Sequence, residues 1–424
     1  MARFFLITIN YAPEPSGFAP HATQLAEYLA GQGHQVSVFT GFAFAPAWHR
    51  REEDRGRLSA TERIAGVTVH RVTHVIPRRP SSVLQRIAME GSFSAAAFVA
   101  ILVAIARGAG RPDAVVYIGA QPAAAMLARV VGAITGRPYF VRITDLAAQA
   151  ALDVGMVGSR LSRALEAFEF AAYRKAAGAS VLCGSFADAL VAHRYPAHRI
   201  HVLHNPIDTD RVRPMPRSGA FRAQYGIPDA AFVLLHAGSM GRKQALMDVL
   251  SAAALTRDAG LCWVLVGDGE ARRDLVERAR ARGVEDVVRF VPFQPEDGLS
   301  AMFADADVLL VSQIAAVKDT LIPGKLLTYM AAGRPVLAAV NADSQAAQLL
   351  REAEGGLLVA PEDAHALAAG ARRLATSDRA TRDAFGARNR AYAEEHFDER
   401  KILAAHERLI LQSMRAACAG TSRT

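Results

Sequence analysis

At 424 residues the chain is too long for one compact core and implies two domains, and 51% hydrophobic with 21% charged residues places it among soluble globular proteins. Three cysteines, Cys183, Cys262 and Cys418, are far apart and odd in number, which suggests a reducing compartment with no disulfide framework and no metal cluster. The net charge of +8 sits wholly in residues 1–200, with 21 Lys+Arg against 13 Asp+Glu, while residues 201–424 hold 28 of each.

That basic half suggests an anionic partner: membrane headgroups, a phosphorylated substrate or nucleic acid. Nucleic acid is the weakest of these, because aromatic-interleaved basic runs and nucleic-acid motifs are absent. An arginine-rich genome drifting upward in pI is the plain alternative. The chain opens directly on an apolar run, Phe4–Ile9, leaving no room for a signal peptide.

Short apolar runs alternate with helical patterns, the signature of parallel α/β sheets. Strands are predicted at Phe4–Ile9, Val36–Thr40, Val67–Val72, Ala114–Ile118, Pro138–Ile143, Ala179–Leu182 and Ile200–Leu203, with helices at Thr23–Gln32 and Leu165–Lys175 between them. Gly91–Ala106 carries no charge and spaces Phe98, Ile101, Leu102 and Ile105 helically. It is short for a membrane span, so it reads as a buried core helix or as an interfacial element helped by Arg78, Arg79 and Arg86. Pro206, Pro214, Pro216, Gly219 and Pro228 then mark a junction. Further strands are predicted at Phe232–Ala237, Cys262–Val266, Val288–Val291, Val308–Val311, Val336–Ala339 and Gly356–Val359. The division is an N-terminal domain over 1–204, a linker over 205–228, a C-terminal domain over 229–395, and a C-terminal helix over 396–424 packing back toward the first domain. Both domains read as doubly wound and Rossmann-like, facing an interdomain cleft.

The most informative segment is Thr320-Leu-Ile-Pro-Gly-Lys-Leu-Leu-Thr-Tyr-Met-Ala-Ala-Gly-Arg-Pro-Val336. Pro323 suits a helix start, and the amides of Gly324, Lys325 and Leu326 would lack partners at the positive end of the helix dipole. Such a terminus is an anion site, to which Lys325 adds a full charge. Gly333 fits the position after the helix, with Pro335 closing the turn. A second basic helix start is His236-Ala-Gly-Ser-Met-Gly-Arg-Lys-Gln244, where Gly238 and Gly241 loosen the backbone beside Arg242 and Lys243. Two such starts in one domain would grip a diphosphate without a metal. Val264-Leu-Val-Gly-Asp-Gly-Glu270 reads mainly as a structural turn. In the first half, Gly17 could admit a phosphate and His21 is a base or a satisfied surface histidine. Asp305-Ala-Asp307 and Asp208-Thr-Asp210 spell a metal-binding pattern of another transferase fold, but their context reads as turns and caps.

In order along the chain, Tyr11–Pro20, Gly31-Gln-Gly-His-Gln-Val36, His204-Asn-Pro-Ile-Asp208, Gly238–Gln244, Val266–Glu270, Phe290-Val-Pro-Phe293 and Lys325–Val336 resemble the retaining glycosyltransferases of family four, of GT-B fold. The match is most similar to bacterial enzymes of exopolysaccharide, O-antigen and colanic-acid type. The resemblance implies a nucleotide-diphospho-sugar donor on the C-terminal domain and a saccharide acceptor, lipid-linked through polyprenyl diphosphate, on the N-terminal one. It implies no cofactor, no metal and no enzymic nucleophile. Lys243, Arg242 and Lys325 would stabilise the leaving diphosphate, and Asp145 would be the acceptor-side polar group. Gly17, Gly238, Ser239, Val291, Pro292, Ile322, Gly324, Leu326 and Thr328 would contact the donor. The protein would then be cytoplasmic and peripheral at the inner membrane face, touching the membrane through its N-terminal half.

Two departures stand out. Family members carry two glutamates where this chain has Thr320 and Thr328, so sugar recognition would fall to Asp319 or Lys318. Relatives read Asp-Leu-Trp-Pro-Glu where this chain reads Asp145-Leu-Ala-Ala-Gln149. Asp145 is an acceptor group or a helix cap. A non-catalytic paralogue acting as a partner subunit, and a sugar-nucleotide epimerase, stay open as alternatives.

Overall fold

The computed structural model describes residues 1–15, 17–45, 47–79, 82–148, 159–317 and 323–421, the side chains of 159 and 416–421 excepted. The chain divides into two compact units, residues 1–204 with 402–424, and residues 205–401.

The first unit has an eight-stranded sheet: β1 (Arg3–Ile7), β2 (Gln35–Gly41), β3 (Ser59–Ile64), β4 (Val67–Val72), β5 (Ala114–Gly119), β6 (Tyr139–Ile143), β7 (Gly178–Val181) and β8 (Ile200–Val202). Its order is β3-β4-β2-β1-β5-β6-β7-β8, parallel except for β3. Central strands are apolar on both faces because helices cover both, as in β5, which is buried at every position. β3 was not predicted. Its sequence Ser-Ala-Thr-Glu-Arg-Ile is polar and largely exposed, since an edge strand has only one neighbour and needs no apolar face. The local signal is Ala65-Gly66, both at positive φ, the two-residue turn that closes an antiparallel hairpin.

Helices of this unit include α1 (Ala19–Gly31), α2 (Val83–Ala104), α3 (Pro122–Thr135) and α4 (Ser159–Tyr173). Each of the predicted helices begins earlier than its pattern suggested. α2 extends well upstream of Gly91 because it buries only one stripe, Met89, Phe93, Ala97, Ile101 and Ala104, and so tolerates polar residues elsewhere. It is therefore not a fully buried core helix: Leu84, Ile87, Val99, Leu102 and Val103 are exposed. The closing helix Glu399–Thr421 packs Leu403 and Ile410 into the first unit's core.

The second unit has six parallel strands: β9 (Phe232–Ala237), β10 (Leu261–Val266), β11 (Val288–Val291), β12 (Val308–Ser312), β13 (Val336–Ala339) and β14 (Gly356–Val359), in the order β11-β10-β9-β12-β13-β14. The strand order reverses between β9 and β12, which opens a crevice beyond their carboxyl ends. Residues 205–228 are not a linker. Val212, Phe221 and Ile227 are buried in this unit's core, and Arg222 is fully buried. The Arg222 guanidinium donates to the carbonyls of Asp305 (2.7 Å), Pro228 (3.3 Å), Asp229 (3.2 Å) and Ala231 (2.7 Å), and to Asp307 Oδ2 (2.7 Å). Both carboxylates of the Asp305-Ala-Asp307 pair are thus architectural. Asp305 also caps the amides of Ser218, Gly219 and Phe221, and Asp307 takes the Val233 amide. Asp208 accepts from the amides of Asp210 and Arg211 in a local turn.

Candidate active site

The second unit's crevice is built from the end of β9. There the chain turns at Gly238, whose φ of +139° suits glycine alone. The loop that follows is seated on the Val266–Glu270 segment. Gly238 N–H donates to Val266 O (2.9 Å), Met240 N–H to Asp268 O (2.8 Å), and Ala271 N–H to Met240 O (3.0 Å). A Cβ on Gly267 would lie 2.0 Å from Gly238 O, so these two backbones touch directly. The Gly-Asp-Gly turn therefore supports the loop from beneath, as a structural turn.

Lys325 enters from the first turn of the helix Gly324–Ala331, whose cap is Pro323. Its Nζ lies 2.6 Å from Gln244 Oε1 and 3.1 Å from His236 Nε2. A Cβ on Gly238 would stand 3.3 Å from that nitrogen, so glycine there lets the loop lie directly over the amine. His236 is fully buried on β9, with Nδ1 3.2 Å from the Leu310 carbonyl on β12. Nδ1–H donates to that carbonyl, which leaves Nε2 as the acceptor for Lys325. Burial, reinforced by the Lys325 charge, holds His236 well below the usual histidine range, so it is neutral. Burial also lowers Lys325 to about 7. One helical turn on, the Tyr329 hydroxyl accepts from Ala237 N–H (2.7 Å) and donates to Ala237 O (3.1 Å), clamping the end of β9 to the same helix.

Lys325, Gly238 and Gln244 thus share one place, whereas Arg242 and Lys243 lie exposed on the short turn Arg242–Gln244 that turns Gln244 inward. Arg242 approaches Glu270 at 3.9 Å, and the Lys243 carbonyl accepts from Ile314 N–H (3.1 Å). Ser239 and Gly324 are exposed. Leu326 departs from expectation: its amide donates to Pro323 O (2.9 Å) and its side chain is fully buried, because the first turn closes on the proline carbonyl. Val291 departs as well, being buried with its carbonyl taken by Gly267 N–H (2.9 Å). Surface at that strand end comes from Pro292 and Phe293. The Thr328 hydroxyl donates back to Gly324 O (3.2 Å), leaving only its lone pairs for a ligand. Ile322, with Lys318, Asp319 and Thr320, lies outside the described residues.

In the first unit, Gly17 has φ of +66° with nothing near a built Cβ, so conformation rather than space asks for glycine. The loop before it is organised by Glu14, a buried residue the sequence reading passed over. Glu14 accepts from Asn10 Nδ2 (2.6 Å) and from the amides of Phe44 (2.7 Å) and Ala45 (2.8 Å). His21 is partly buried beside Gln24 (3.2 Å), and burial lowers it to about 4. Asp145 Oδ1 accepts from Leu146 N–H (2.9 Å) and Asp145 lies in the wall of a cavity of about 460 Å³, with Arg86, Ile87, Glu90, Gln121 and Phe168. The amides of Ala147 and Ala148 are capped instead by Glu169, which is fully buried and raised to about 7 by burial. Glu90, in the cavity wall, is raised to about 7 by the same cause. Glu90 and Glu169 were not found by sequence reasoning, because in a helical pattern they look like ordinary surface charges.

Comparison with known proteins agrees with this architecture. Residues 16–206 match the glycosyl transferase 4-like domain, and residues 231–377 match the glycosyl transferases group 1 model. WcaI of Escherichia coli (strain K12), named as a colanic acid biosynthesis glycosyl transferase, is 28% identical over 408 residues, covering 95% of this chain and 98% of its own. Anabaena Alr3699/HepE, solved in complex with UDP, superposes with a TM-score of 0.70 at 16% identity, over 97% of this chain and all of its own. WaaG, a glycosyltransferase involved in lipopolysaccharide biosynthesis, superposes with a TM-score of 0.63 at 20% identity, over 94% and 98%. Two family matches that together take in most of the sequence, on two doubly wound sheets, settle the assignment: the chain is a glycosyl transferase of GT-B fold, with a 4-like domain followed by a group 1 domain.

Proposed function

We propose that the protein moves a sugar from a nucleotide-diphospho-sugar to a saccharide carried on polyprenyl diphosphate, with retention of configuration, in surface polysaccharide synthesis. The observation that carries this reading is the Lys325 amine lying directly under the Gly238 backbone, at the switch point of the second sheet. A diphosphate bound over Gly238 would meet that amine, the Gly324 end of the helix, and the exposed Lys243 and Arg242.

Charge builds on the leaving diphosphate as the bond from the anomeric carbon to phosphate oxygen breaks, and groups fixed around it lower the barrier. The acceptor oxygen bonds to the same face of that carbon, and its proton passes to the departing phosphate oxygen. The scheme uses no nucleophile from the chain and no metal. It accords with Asp305 and Asp307 being taken up by amides and Arg222. Pro292 and Phe293 would border the base and Thr328 would accept a ribose hydroxyl, while Asp145 and its cavity would serve the acceptor.

WcaI is named for colanic acid biosynthesis, and HepE was solved with UDP and with UDP-glucose; both support the donor and pathway class. The test is calorimetry or saturation-transfer NMR with UDP-, GDP- and dTDP-sugars. Binding of one donor class is expected; folded protein that binds none would turn the reading to a non-catalytic subunit.

Membrane attachment belongs to the same proposal. Val83–Ala109 is long and apolar enough to cross a membrane, and its apolar window is only 28% buried. Val99 and Leu102 on α2, and Val130 and Ile134 on α3, are exposed, with Arg86 and Arg107 near the two ends of α2. This surface would lie against anionic lipid on the cytoplasmic side, as a peripheral contact. The protein is expected to co-sediment with phosphatidylglycerol vesicles. A Val99→Gln, Leu102→Gln, Val103→Gln triple variant is expected to lose about 100-fold in partitioning, since each partly exposed side chain would bury roughly a further 1 kcal/mol of apolar surface. Unchanged sedimentation would remove the membrane contact from the proposal.

A further inference from the structure

Among the described residues Lys325 has two hydrogen-bond partners, Gln244 Oε1 at 2.6 Å and His236 Nε2 at 3.1 Å, and neither carries charge. His236 cannot become a charged partner without losing its acceptor nitrogen, because Nδ1–H is already given to Leu310 O. The exposed groups on the adjoining turn, Arg242 and Lys243, are cationic, and Tyr329 on the same helix is engaged with Ala237. Lys318 and Asp319 precede the helix outside the described residues. Among the described residues no carboxylate pairs with Lys325, and desolvation is what acts on it. A desolvated ammonium with neutral partners is costly, and it either gives up its proton or attracts an anion.

We propose that His236 and Gln244 are positioning residues forming a charge-free cradle for Lys325, so that diphosphate binding and protonation of the amine are coupled. The inference rests on the donor reading above and adds a property that reading does not require. Gln244 Oε1 and His236 Nε2 fix the direction of two N–H bonds, and the third is left for an anionic oxygen. When the site is empty, the amine is about half charged at neutral pH and mostly uncharged one pH unit higher. As the diphosphate arrives, the amine takes one proton from the buffer and becomes the ammonium that the diphosphate stabilises. A carboxylate in the cradle would keep the ammonium permanently, and would also oppose the diphosphate.

The sign follows from Lys325 being lowered to about 7. At pH 8 the empty site is mostly uncharged, and UDP binding should draw close to one proton from the buffer. Apparent affinity should fall by up to about tenfold per pH unit above that midpoint, since one proton is linked to binding. The experiment is titration calorimetry of the full chain with UDP at pH 8, in buffers of different ionisation enthalpy. Wild type is expected to take up most of a proton per UDP. Gln244→Glu, which supplies the missing carboxylate, and Lys325→Arg, charged at every pH used, are both expected to bind with uptake near zero. UDP binding to wild type without uptake overturns the coupling and leaves the donor reading standing. So does uptake that persists in Lys325→Arg. No binding of UDP, GDP or dTDP to folded protein removes the donor reading, and the coupling with it.

Discussion

Lys325→Met is expected to weaken nucleotide-diphosphate binding by about 100-fold, a loss of about 3 kcal/mol, because it removes a charge-assisted contact from a desolvated site. The loss in kcat/KM should be larger, roughly a further 10-fold or more, since charge on the diphosphate grows as the sugar leaves and the missing donor counts most there. Methionine keeps the length and fills the space beneath Gly238, so the fold should be retained. The check is a binding isotherm with the donor identified by the panel, paired with steady-state kinetics and a melting curve. A melting midpoint unchanged from wild type together with full donor affinity would show that the amine does not face the diphosphate. Lys243→Met and Arg242→Met remove exposed charges, which solvent screens, and should cost less than Lys325→Met.

Arg222→Met is expected to produce the largest loss of stability. The guanidinium is fully buried and holds four carbonyl groups and one carboxylate at once. Removing it leaves those carbonyls without their donor and leaves Asp307 with an unbalanced charge, at a cost of about 3–5 kcal/mol. Asp307 is partly exposed, which places the expected value toward the lower end of that range. In a unit of about 200 residues that corresponds to a fall in melting temperature of roughly 6–12 °C. Differential scanning calorimetry of the full chain reads it directly. A shift below about 1 °C would show that the 205–228 segment contributes little to the unit. Donor binding measured well below the transition should be unaffected, since Arg222 serves the strand starts at Asp305–Asp307 and Ala231, while Lys325 serves the strand ends.

The sequence determined the class of fold because parallel strands buried on both faces must be apolar. Val67–Val72, Phe232–Ala237, Val288–Val291, Val336–Ala339 and Gly356–Val359 have the same bounds in the structure as in the reading. It failed where burial is not what makes the element. β3 is a polar edge strand defined by its hairpin turn, and the proline-marked segment 205–228 looks like a linker until Val212, Phe221 and Ile227 are seen inside the core.

The same division holds for the site. Pro323-Gly324-Lys325 and Gly238–Lys243 could be singled out from sequence, because glycine, proline and lysine at a helix entry carry their physical meaning locally. What Lys325 touches could not. His236, Gln244 and Lys325 are up to 89 residues apart along the chain, and nothing local in a strand-ending histidine or a turn glutamine says that both face one amine. Strand order alone puts β9 beside β12 and lays the Gly238 loop over the helix entry. Sequence thus supplied the charge. Only the tertiary structure decided that the charge is desolvated and held by neutral partners, because desolvation is a property of neighbours brought together by folding.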